Sequence, residues 1–182
     1  IQIVIVPIYK TDTKEKVLKE ARRIYEKLCE KFAVKLDDRD EYTPGWKFNE
    51  WELKGVPLRI EIGPKDVEAK QVVLVRRDTG EKIKADSKDV EKKVEDVLEK
   101  IQKNLFKRAK KFMQSRIFEV KNFDRFKEVL EKKRGMIKAV WCGRTSCELE
   151  IKEKTTATIR LIEKESDGKC VHCGEKGKYM VY

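Results

Sequence analysis

The stretch Ile1-Gln2-Ile3-Val4-Ile5-Val6-Pro7-Ile8 decides the fold class. It is apolar at almost every position instead of at alternate ones, the pattern of a strand covered on both faces. Asp12 and Glu15 follow at capping-box spacing, and a helix is predicted from there through about Phe32. Its apolar residues, among them Val17, Ala21, Ile24, Leu28, Cys29 and Phe32, recur at helical spacing. Cys29 is therefore expected on the core face as an inert thiol. A doubly covered strand followed by an amphipathic helix begins an α/β layer structure.

Working outward, a short strand is expected at Val34–Leu36 and a short helix at Trp46–Lys54, ended by Gly55. Pro57–Gly63, Gln71–Arg77 and Lys82–Lys84 read as strands, the last two joined by a turn at Thr79-Gly80. Together these give a mixed five-stranded sheet with flanking helices. From Ser87 as N-cap, a long helical pattern runs to Phe112; it should cover one face of the sheet and then leave it. Between Lys100 and Phe118 stand seven basic residues and no acidic one. Solvation near a helix C-terminus explains them most simply. Contact with RNA phosphate, by a lysine such as Lys110, or with a neighbouring domain is the sharper alternative. A further helix is expected from Phe123 to Lys133, beginning after Asn122 and stopping at Gly135, then a strand at Met136–Trp141. The expected division is a first domain over 1–105 and a small α+β domain over 106–182.

The chain has 182 residues, 42% of them charged, and a formal net charge of +11. That balance predicts attraction to polyanions, RNA or DNA foremost, although a lysine-rich surface also serves solubility alone. No apolar run approaches the roughly 20 residues of a membrane span, so no membrane partner is expected and the cytoplasm is the expected location. A chain that opens on a strand pattern without methionine reads as part of a longer protein.

Cys142-Gly-Arg-Thr-Ser-Cys147 and Cys170-Val-His-Cys173 form two close pairs, 22 residues apart, with a strand-like Ala157–Ile162 between them. Two tight loops, each offering two thiolates, are the donor set of a closed tetrahedral zinc site. One structural zinc per chain is predicted, with no open position for a catalytic water. Free buried thiols or a redox Cys-x-x-Cys are the alternatives, and the latter lacks its usual strand and helix context. His172 lies between two ligands and is expected to be an exposed loop residue.

The segment Gly45-Trp46-Lys47-Phe48-Asn49-Glu50-Trp51-Glu52-Leu53-Lys54-Gly55-Val56-Pro57-Leu58-Arg59, continuing through Ile60-Glu61-Ile62-Gly63-Pro64-Lys65-Asp66, resembles the anticodon-domain signature of prolyl-tRNA synthetases. Val4-Ile5-Val6-Pro7-Ile8, Trp141-Cys142-Gly143, Gly168-Lys169-Cys170 and the final Tyr182 are similar to the same enzymes, and the cysteine-bearing tail resembles their archaeal and eukaryotic type. The resemblance implies a class IIa anticodon-binding fold followed by a zinc-binding domain. It implies proline tRNA as partner, a catalytic domain elsewhere in the same chain that uses ATP, and a homodimer formed through that domain.

By position in the motif, the base-reading residues would be Phe48 for stacking, Glu52 as acceptor, and Arg59 and Lys65 as donors, with Lys82 a weaker candidate. Guanine's N1 and N2 donors suit a carboxylate, and its O6 and N7 acceptors suit lysine or arginine. Taken singly, Phe48 and Trp51 are also the apolar face of a short helix, and Glu52 could pair with Lys47 or Lys54. Tyr182 would help to support the catalytic domain. No Gly-rich phosphate loop and no paired-carboxylate or histidine-based site is present, so the chain itself is expected to bind tRNA and do no chemistry. A free-standing zinc protein that binds nucleic acid is the competing reading.

Overall fold

The all-apolar opening forms strand β1 (Ile3–Pro7), and all five of its residues are buried. In the computed structural model, which describes residues 1–182, β1 is an inner strand of a five-stranded sheet. The others are β2 (Val34–Leu36), β3 (Leu58–Ile62), β4 (Gln71–Arg76) and β5 (Lys82–Asp86), in the order β2-β1-β3-β4-β5. β1 is parallel to β2 and β3, whereas β3, β4 and β5 form an antiparallel meander, so the sheet is mixed as expected. The two parallel pairings need crossovers, supplied by helices α1 (Lys14–Cys29) and α2 (Pro44–Leu53). A short helix α3 (Pro64–Glu68) follows β3.

Alternation along the strands gives the sheet two unlike faces. On one, Ile3, Ile5, Leu58, Ile60, Ile62, Val72 and Leu74 pack beneath α1 and the long helix α4 (Val90–Ser115). Each such side chain contributes roughly 1.5–3 kcal/mol on burial, so this core dominates the unit's stability. α4 enters it through Val90, Val94, Val97 and Ile101, and residues 106–115 beyond are exposed. On the other face, Val4 and Val6 of β1 lie under Trp51 and Val56. Farther across, that same face carries charge, because β3 and β5 place Arg59, Glu61 and Lys82 on it.

Compact packing separates a first unit, Ile1–Lys107, from a second, Arg108–Tyr182. The second contains β6 (Ile117–Glu119), α5 (Phe123–Lys132), β7 (Met136–Trp141), α6 (Thr145–Thr155), β8 (Ile162–Glu165) and β9 (Tyr179–Val181). Its sheet order is β6-β7-β9-β8. The core is small: Val120, Phe126, Val129, Ile137, Ala139, Ile151 and Val171. A cavity of about 380 Å³, lined by Leu130, Ile137, Ala139, Ile151 and Val181 among others, opens into it.

Several expectations fail for identifiable reasons. Cys29 is exposed: the buried stripe of α1 is Val17, Ala21, Ile24 and Leu28, and Cys29 lies about 100° past Leu28 on the last turn. The N-terminus of α1 is preceded by a 3-10 turn at Thr11–Thr13, where Thr13 Oγ1, not Asp12, accepts from the Lys10 N–H at 3.1 Å. The long helix starts at Val90, and Ser87 does not cap it: its buried Oγ accepts from no helix N–H. After α5 the left-handed residue is Arg134, with φ 48°. Gly135 is required there by crowding, because a Cβ would overlap the Arg116 carbonyl and the Phe118 ring. Ala157–Leu161 is irregular, and the strand begins at Ile162. The main element between the cysteine pairs is helix α6, whose mixed surface lacks a clear apolar stripe; only Cys147 and Ile151 are buried on it.

Candidate nucleic-acid interface and metal centre

Helix α2 is started by Thr43, whose Oγ1 accepts from the Trp46 N–H at 3.3 Å, and by Pro44 in its first turn. Lys47 and Trp51, one turn apart, face inward. Trp51 donates its indole N–H to Asp37 at 2.8 Å, and Lys47 donates to the Asp37 carbonyl at 3.2 Å. Arg39 grips the same carboxylate through two bonds of 2.8 Å and also pairs with Glu50 of α2. The helix is thereby fixed at two successive turns, and its flank carrying Phe48 and Glu52 is held beside β3.

Arg59 and Glu61 stand two residues apart on β3 and so share a face. The Arg59 guanidinium lies 4.0 Å over the Phe48 ring, within cation–π range. Its Nη1 donates to Glu52 Oε1 at 3.1 Å, and Nε and Nη2 donate to Glu61 Oε1 at 3.1 and 3.0 Å. Lys82 of β5 is in register with Val75, which is in register with Arg59, and its Nζ reaches Glu61 Oε2 at 3.1 Å. Four of the five expected residues, Phe48, Glu52, Arg59 and Lys82, are thus one connected cluster. Lys65 sits apart on α3, exposed and without an ion pair to the others. Glu52 pairs with Arg59, not with Lys47 or Lys54: Lys47 is buried, and Lys54 bonds Glu50 at 2.6 Å. The cleft between Glu52, Arg59 and Arg77 encloses only about 10 Å³, space for roughly one water, so an incoming base must lie on the surface. Glu61 was not singled out from sequence, although its spacing from Arg59 along a strand was the available signal.

In the second unit, Cys142 follows β7, Cys147 lies in the first turn of α6, and Cys170 and Cys173 form a turn before β9. Glycines shape both turns: Gly143 at φ 84° and Gly174 at φ 74° take the left-handed conformation that side chains resist. The four sulfurs all lie within 4.8 Å of one another. An ideal tetrahedron with metal–sulfur bonds of about 2.3 Å has sulfurs roughly 3.8 Å apart, so the donor set fits one metal ion. Arg144 donates to Cys142 Sγ at 3.4 Å and Cys173 Sγ at 3.0 Å and pairs with Glu175 at 2.9 Å. Burial pushes the Cys142 thiol up, but the Arg144 side chain and backbone bring it down to about 6. Burial and the neighbouring Cys142 and Cys173 drive Cys147 up to about 12. Sulfurs this close cannot all ionise without a cation among them. His172 is not exposed as expected: its ring is half-buried, edge-on to Phe123 at 4.9 Å between centroids. Tyr182 lies against Lys138 and bonds Glu163 at 3.2 Å, while its terminal oxygen accepts from the Arg160 N–H at 2.7 Å.

An α/β unit with a charged, aromatic-backed sheet face, followed by a small unit whose four clustered cysteines could hold a metal ion, has the make-up of a nucleic-acid-binding class of protein. The anticodon binding domain family matches residues 2–104, and the family described as prolyl-tRNA synthetase, C-terminal, matches residues 123–182. The chain is 50% identical over 175 residues to a proline–tRNA ligase of Natranaerobius thermophilus, covering 95% of this chain and 36% of the relative. It is 50% identical over 184 residues to that of Alkaliphilus oremlandii and 46% over 185 residues to proline–tRNA ligase 2 of Clostridioides difficile, covering 100% of this chain and 38% of each relative. The chain belongs to the prolyl-tRNA synthetase family, as its anticodon-binding and C-terminal domains. It spans less than two fifths of the length of these relatives. No helix is long and apolar enough to cross a membrane.

Proposed function

We propose that the chain recognises the anticodon of proline tRNA for a parent enzyme that attaches proline to that tRNA with ATP. The catalytic domain lies outside this chain, which by itself does no chemistry; dimerisation is assigned to that domain and the whole to the cytoplasm. The functional division is 1–105 for anticodon recognition and 106–182 for a zinc-stabilised appendage whose Tyr182 supports the catalytic domain. Cys142, Cys147, Cys170 and Cys173 would hold one zinc. Zinc there supplies four strong bonds that tie α6 and the two turns to the sheet, in a closed site with no reactive position.

The observation that carries this reading is the cluster of Glu52, Arg59 and Lys82 around Phe48 on an open sheet face. Single-stranded bases are read by stacking and by bonds to their edges, and guanidinium planes stack bases as aromatic rings do. Arg59 already covers Phe48, so one base stacks on the Arg59 plane backed by the ring, and the guanine read at its edge is a second base lying in the plane of the guanidinium. Guanine's N1 and N2 donors meet Glu52, and O6 and N7 meet Arg59 and Lys82, with Lys65 adding a donor from α3. Glu52→Gln exchanges one acceptor oxygen for a donor that faces guanine's own donors. The expected loss is about 1 to 3 kcal/mol, confined to tRNA carrying guanine at that position. Binding at fixed salt to proline tRNA and to an anticodon-swapped version tests it. Equal weakening of both, or of neither, would reduce Glu52 to a surface carboxylate.

A further inference from the structure

Arg59 and Lys82 converge on a carboxylate that the reading above does not use. Glu61 is 6% exposed, and its oxygens are divided: Oε1 takes two bonds from Arg59, at 3.1 and 3.0 Å, and Oε2 takes one from Lys82 at 3.1 Å. A carboxylate this buried is costly unless paired, and here two cations answer one anion. Arg59 has a second carboxylate, Glu52, at 3.1 Å. The two differ in setting: the Glu52 side chain is 52% exposed and that of Glu61 9%. An exposed pair is screened and easily exchanged, whereas a pair shielded from water is not. Donor capacity remains as well. The guanidinium has five N–H groups, of which Arg59 spends three. Lys82 spends one on Glu61 and is 61% exposed.

We propose that Glu61 is a positioning residue for guanine recognition. It keeps Arg59 and Lys82 aimed at the base's acceptor edge while Glu52 releases Arg59 and turns to the base's donors. The two carboxylates divide the work, the buried one holding and the exposed one exchanging. Arg59 and Lys82 come from strands two apart, roughly 10 Å, and Glu61 is the group that ties both to one point. This rests on the anticodon reading of the site.

The test uses the metal-loaded 182-residue chain. Binding is measured at fixed salt to proline tRNA and to the same tRNA with every anticodon guanine replaced. Glu61→Gln keeps the shape and removes the charge, and it should cut discrimination about tenfold or more while affinity for the swapped tRNA stays within about twofold. Glu61→Asp keeps the charge and should retain more discrimination than Glu61→Gln. Because Glu61 acts through Arg59 as well as Lys82, Glu61→Gln should cost less discrimination on an Arg59→Ala background than in the unaltered chain. Undiminished discrimination, equal weakening of both tRNAs, or additive losses in the double variant would each overturn the role. Should Glu61→Gln fail to fold, Glu61→Asp carries the same comparison: weakening of both tRNAs alike refutes the role, and selective loss supports it. An unaltered chain that does not distinguish the two tRNAs would instead refute the anticodon reading itself.

Discussion

Asp37 shows how one residue can be both buried and charged. It is 1% exposed, yet its carboxylate is met by Arg39, by the Trp51 indole and by Lys47. Burial alone would push its pKa up, but the bonds from Arg39 and Trp51 and the charge of Lys47 bring it down to about 2. A folded pKa below the unfolded value of 3.8 contributes stability that is present above about pH 4 and lost as pH falls from 4 towards 2. The size is on the order of 2 kcal/mol at 1.36 kcal/mol per unit. Asp37→Asn leaves Lys47 without its anion and Arg39 with Glu50 alone, and should cost roughly 3 kcal/mol at neutral pH. Urea unfolding of both proteins across pH 2 to 6 checks this. The gap between them should narrow below pH 4, and a constant gap would show that the charge of Asp37 is not what stabilises.

Among elements, α5 depends on its two ends for different reasons. Asn122 Oδ1 accepts from the Arg125 N–H at 2.9 Å, so Asn122→Ala should cost about 1 kcal/mol. At the far end Gly135 passes so close to β6 that an added methyl would overlap the Arg116 carbonyl and the Phe118 ring. β6 and β7 pair there through Ile117 with Met136, so relief requires opening the sheet. In thermal unfolding, Asn122→Ala should lower the second unit's midpoint by about 4–8 °C. Gly135→Ala should lower it well beyond that. Equal shifts would mean that crowding at Gly135 is relieved cheaply.

At the scale of the whole molecule, the two units have unequal means of support. The first has a core spanning a sheet and two helices, while the second has a core cluster of only seven buried residues with a cavity of about 380 Å³ opening into it. A segment of roughly 75 residues with so small a core needs a further constraint, and the four cysteines are placed to give one. Elemental analysis of protein purified without added metal should find one zinc per chain. A strong chelator should unfold the second unit and leave the first with its native amide-exchange protection. Metal-free protein with both units fully folded would remove the structural role.

Much of this was legible because the signals are local. The unbroken apolar run of Ile1–Ile8 demanded a strand with two covered faces, the spacing of Val90, Val94, Val97 and Ile101 demanded a helix on a core, and two close cysteine pairs announced a cluster of four sulfurs. The proposed readers lay in one continuous segment from Gly45 to Asp66, apart from Lys82. What only the tertiary structure decided is non-local. Helix α6 lacks an apolar stripe, so nothing periodic announced it. The exposure of Cys29 turned on where one helix face ended, and Gly135 on the path of a neighbouring strand. Glu61 became the centre of the proposed site because Lys82 arrives from β5, two strands away, and strand pairing alone could bring that charge to it.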